Sequence, residues 1–118
     1  MKIKSLIVLL ALGLSACTGS KYAGVPKQYN ELISQTMQTA GSNAKELKKA
    51  LKQTPTTQRE GMAFLISYMP ERDAKSLTAD FLLENVAYAY KARNEFPWAK
   101  EVPNDIFLND VVAYVNLN

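Results

Sequence analysis

The feature that most limits the fold is helical spacing with frequent punctuation. From Pro26 onward apolar residues recur three and four apart, and the runs are cut by Gly41, by Thr54 and Pro55, by Pro70 and by Pro97. Residues at i, i+3, i+4 and i+7 share one face of a helix, whereas a half-buried strand alternates at every second residue. The spacing therefore predicts an all-α fold, a small bundle of four or five short helices.

The boundaries follow from the residues that flank each run. Pro26 suits a first helical position, Tyr29, Leu32, Ile33 and Met37 share a face, and Gly41 supplies a stop, which predicts a helix over 26–40. Asn43 and Glu46 have the spacing of a capping box, with Leu47, Ala50 and Leu51 as the apolar stripe behind it. Thr57 and Glu60 repeat that spacing before Met62, Leu65, Ile66 and Met69, and Pro70 ends the run. The longest element has Thr78 as N-cap and Ala79, Leu82, Leu83, Val86 and Tyr90 facing inward, with Phe81 and Tyr88 expected to widen the stripe. Lys91 and Glu95 are spaced for an i,i+4 ion pair on its solvent side. Last, Asn104 is placed to cap a helix carrying Ile106, Phe107, Asp110, Val111 and Tyr114.

The first residues obey a different grammar. Lys2 and Lys4 precede the apolar run Leu6 to Leu14, and the small residues Ser15 and Ala16 follow it, as in a secretory signal peptide. The run is too short to span a hydrocarbon layer that needs about 20 apolar residues. "LSAC", Leu14 to Cys17, resembles the processing box of bacterial lipoproteins, in which the cysteine becomes the lipidated first residue of the mature chain. The resemblance implies a signal peptide over 1–16, a lipidated tether over 17–25 and a helical domain over 26–118, with the membrane as partner through acyl chains, palmitate among them, on Cys17. It also implies the periplasmic face of the outer membrane, because Thr18 stands where inner-membrane lipoproteins carry Asp. Cys17 is the single cysteine, so no disulfide can form within one chain.

Charge and residue chemistry exclude several classes. Without Lys2 and Lys4, twelve basic side chains face eleven acidic ones, and no basic face interleaved with aromatics points to nucleic acid. The cluster "KELKKALK", Lys45 to Lys52, reads as the solvated side of a helix rather than a phosphate or headgroup patch. The chain has no histidine, hence no imidazole base, no Cys-His or Ser-His couple and no His ligand for a metal. Glu71 with Asp73 sits in a charged turn, and Asp105 with Asp110 does not stack on one helix face, so neither pair is arranged for acid-base work. Met62 and Met69 lie on an apolar stripe and read as core filler rather than ligands. There is no glycine-rich phosphate loop. The expectation is a non-catalytic chain without cofactor or metal.

What remains unexplained is "FPWAKEVP". Phe96, Trp98 and Val102 form an apolar, proline-braced loop, and large aromatics on a loop either cover the domain's own surface or make a contact for a second domain or ligand. With Ile106 and Phe107 of the next helix, Phe96 and Trp98 are the expected contact surface.

Arg59 to Val115, and above all "FLISYMPERD", "LLENVAYAYKAR" and "PWAKEVPNDIF", resembles the helical region that precedes the papain-like core in bacterial transglutaminase-like lipoproteins. In that family a Cys nucleophile, a His base and an orienting acid perform acyl transfer or hydrolysis at amide bonds. None of the three matches a residue of this chain, since Cys17 corresponds to the lipid site. The resemblance implies an accessory helical domain, truncated before a catalytic core, with Asn104 to Tyr114 as the lead-in helix. The alternative is a complete small periplasmic lipoprotein acting as a binding or scaffold module for an envelope protein or glycan.

Overall fold

The computed structural model describes residues 21–112. Cys17, the leader and Tyr114 lie outside the described residues. Among those described, every regular element is helical: α1 Asn30–Ala40, α2 Ala44–Gln53, α3 Arg59–Tyr68, the single turn α4 Glu71–Ala74, α5 Ala79–Glu95, and α6 Asn104–Ile106. α6 continues as a π-helical segment, Phe107–Val112, and tight 3-10 turns precede α1, α2 and α3 and follow α5.

The core is the sum of the expected stripes. Ile33, Leu47, Leu51, Met62, Ile66, Leu82 and Val86 are all essentially without solvent contact. α3 is the central element, with six of its ten residues buried: Gly61, Met62, Ala63, Leu65, Ile66 and Ser67. Burying a large apolar side chain contributes about 1.5–3 kcal/mol, so this set is the main driving force of folding. The lysines of α2 are exposed around buried Leu47, Ala50 and Leu51. The Lys91–Glu95 pair is present at 3.8 Å, exposed on both sides, and so adds little.

Both capping boxes, however, are spent elsewhere. Asn43 Nδ2 donates to the carbonyls of Ala74 and Leu77, each at 2.9 Å, and Glu46 Oε1 accepts from the backbone N–H of Ala79 at 3.0 Å. Asn43, in the turn before α2, and Glu46, in its first turn, therefore close the end of α4 and the start of α5. Together with Thr78 Oγ1, which accepts from Phe81 N–H at 3.2 Å, Glu46 satisfies donors that the first turn of α5 leaves open. Glu60 likewise ignores its own helix and accepts from Asn104 Nδ2 at 2.6 Å.

Two further differences concern the surface. Phe81 and Tyr88 do not widen the inward stripe of α5: they are exposed, Tyr88 at 62%, and Ala89 is buried in their place. The expected tether also joins the fold earlier than residue 26. Val25 is buried, Tyr22 packs against the core, and the Ala23 carbonyl accepts from Arg59 at 2.9 Å. Gly24 makes this approach possible, since its φ is +78° and a Cβ there would lie 2.8 Å from Thr56 Cγ2.

Candidate functional site

The aromatic segment is built by the way α5 ends. The Phe96 N–H still donates to Ala92, closing the last turn at 3.2 Å, and Pro97 then opens a 3-10 turn, Pro97–Glu101, in a position where its missing N–H costs nothing. The turn is held by Ala99 N–H on Phe96 O at 2.9 Å and Val102 N–H on Ala99 O at 3.3 Å. Pro103 follows in an extended conformation and its carbonyl receives the Phe107 N–H at 3.0 Å. The expected loop is thus a folded corner.

Inside the corner lies a pocket of about 220 Å³ between Ala92, Arg93, Phe96, Trp98, Ala99, Val102 and Phe107. Its lining is apolar except for one side chain, Arg93, whose guanidinium is turned toward the wall. It donates to Val102 O at 3.1 Å and to Asn104 Oδ1 at 3.2 Å, and it lies 4.3 Å above the Phe107 ring. A cation over an aromatic face is attracted by the ring quadrupole, and here the contact fixes the wall rather than offering a charge to a ligand. Behind it Tyr90 meets Phe107 edge to face at 5.0 Å, and the Tyr90 hydroxyl accepts the Gly61 N–H at 3.1 Å. Burial pushes the Tyr90 phenol above its usual range, so it stays protonated through neutral pH.

The contact residues expected from the sequence divide into two groups. Phe96 and Trp98 stack with ring centroids 6.0 Å apart and are 48% and 68% exposed, forming the rim, and Ile106 is 45% exposed on α6. Phe107 is different: it is 1% exposed and belongs to the core, reaching the pocket only as its wall. Its expected place on the contact surface is corrected: Phe107 faces inward with Leu108 and Val112, while its neighbour Ile106 faces solvent. Arg93, Ala99 and Val102 were missing from the expectation. Ala92 and Arg93 stand four and three residues before Phe96 on the same helix, and that spacing could have flagged them.

A second hollow, of about 250 Å³, lies between α1 and the α3–α4 junction, bounded by Leu32, Gln35, Thr36, Ser67, Met69 and Glu71 among others. The Ser67 hydroxyl there is buried without a hydrogen-bond partner. Among the described residues no group of three His, Cys, Asp or Glu side chains could hold a metal ion, and no helix is long and apolar enough to cross a membrane. No family model matches the chain, and no curated protein or solved structure is significantly similar to it.

Proposed function

We propose that this chain is a non-catalytic helical module of the bacterial cell envelope, anchored by lipid on Cys17 at the periplasmic face of the outer membrane, that works by binding. The observation that supports binding best is the corner pocket, where two stacked aromatics stand in solvent beside an apolar hollow whose only charged group is already engaged. Exposed apolar surface gathered at one place marks a site of contact more often than scattered single residues do. The anchor is supported by the leader and the "LSAC" box. Expression of the full chain in a bacterium with a labelled fatty acid tests it. The wild type is expected to incorporate label and to lose residues 1–16, while Cys17→Ser stays unlabelled and uncleaved; a wild-type chain without label would overturn the anchor.

A second reading makes the module the accessory region of a transglutaminase-like protein, with the pocket meeting a catalytic core. It draws support from "PWAKEVPNDIF", the words of the resemblance that build the pocket wall. Against a simple lead-in role, Phe107, Leu108 and Val112 pack into this domain's own core, and the Val112 carbonyl accepts from Asn85 at 3.1 Å. A transglutaminase-like core added in solution would bind wild type and not Trp98→Ala if this second reading holds.

A further inference from the structure

We propose that the occupant of the aromatic corner is the lipid surface itself: Phe96 and Trp98 enter the membrane interface next to the anchor, so that the module is held at two points. This rests on the anchored reading above and specifies what its pocket contacts.

The first support is placement. Arg59, in the first turn of α3, donates to the Ala23 carbonyl at 2.9 Å, and Gly24 packs against Thr56 just before that turn. Glu60, the next residue, accepts from Asn104 at 2.6 Å, and Asn104 accepts from Arg93 at 3.2 Å, on the pocket wall. Gly61 in turn meets Tyr90, near the C-terminal end of α5, from which Phe96 and Trp98 follow. The residues after the tether and the aromatic rim are therefore at the same end of the bundle, tied through one helical turn.

The second support is length. Cys17 stands four residues before Lys21, and such a segment spans at most about 14 Å fully extended. Acyl chains on Cys17 would hold this end of the bundle against the membrane surface, where the rim is. The opposite end would face away.

The third support is chemistry. The pocket wall is apolar, with Arg93 turned toward Val102, Asn104 and Phe107, so it suits an apolar occupant better than a glycan or a peptide backbone. Its rim joins a phenyl ring to an indole, with the exposed Lys100 two residues beyond Trp98. Tryptophan is enriched at membrane–water interfaces because its ring is apolar and its N–H is polar, and a lysine beside it can reach headgroups.

Trp98 is the single tryptophan, so it reports on this site alone. The full chain, purified from bacterial membranes, would be reconstituted into phosphatidylethanolamine–phosphatidylglycerol vesicles with and without bromine on the acyl chains. The expected result is a blue shift of Trp98 emission, quenching by the brominated lipid and loss of quenching by aqueous iodide, all reversed in Phe96→Glu. Iodide quenching as strong in vesicles as in detergent would overturn the proposal. Protection from both quenchers would also overturn it and would point to a protein partner or a second copy. An intact mass on the same sample reads the acyl groups on Cys17. An acylated chain with Trp98 in water rejects the two-point contact and leaves the anchor standing; an unacylated chain rejects the anchor, and the same quenching then tests the rim by itself.

Discussion

Gly61 sets the geometry of the corner by lacking one methyl group. A Cβ there would lie 2.7 Å from Tyr90 Cε2 and 2.9 Å from its hydroxyl, and Tyr90 cannot swing away while it is packed on Phe107. Gly61→Ala is expected to destabilise the fold by about 1–3 kcal/mol, the usual cost of overfilling a packed site, even though alanine is the better helix former. Urea unfolding followed by circular dichroism measures it, and an unchanged midpoint would contradict the account. Tyr90 also gives a pH dependence. Burial raises the phenol pKa of Tyr90 and of Tyr29 in the folded chain, so the folded state keeps its protons when the unfolded state begins to release them. Their contribution to stability is therefore full below the ordinary tyrosine pKa near 10 and is lost as pH rises through the folded values. Stability should fall above about pH 10 in urea titrations, and less steeply in the Tyr29→Phe, Tyr90→Phe double variant.

At the level of elements, the sequence was informative where a residue acts on its own helix and silent where it reaches another. Thr78 caps α5 as its position implies, and Pro70 and Gly41 end α3 and α1. Asn43 and Glu46 match the spacing of a local cap yet serve α4 and α5, more than thirty residues away in sequence. Spacing along one chain cannot reveal that, because the two uses place the same residue types at the same positions. Native-state hydrogen exchange distinguishes them: Glu46→Ala is expected to lower protection of the Ala79 amide, with a stability loss of about 1 kcal/mol, and to leave the first amides of α2 unchanged. The candidate site was half legible for a similar reason. Phe96 and Trp98 stand out because they flank Pro97 just beyond the longest helical run, whereas Phe107 was grouped with Ile106 although adjacent helical residues face different ways, and only the tertiary packing shows which of the two is core.

For the whole molecule, the aromatic corner divides into a structural wall and an exposed rim. Phe107, Tyr90 and Arg93 close the bundle where α3, α5 and α6 meet, and Phe96 with Trp98 project from that closed wall. A module that binds through its rim, to a membrane or to a second domain, can lose the rim and still fold; rings that belong to the core cannot be removed at so small a cost. The direct test is to compare Trp98→Ala and Phe107→Ala in the full chain by urea unfolding read through circular dichroism. The expected result is a change within about 0.5 kcal/mol for Trp98→Ala and a loss of about 3–5 kcal/mol for Phe107→Ala. Equal destabilisation by the two would contradict it, since the rim would then be core and no binding surface would remain at the corner.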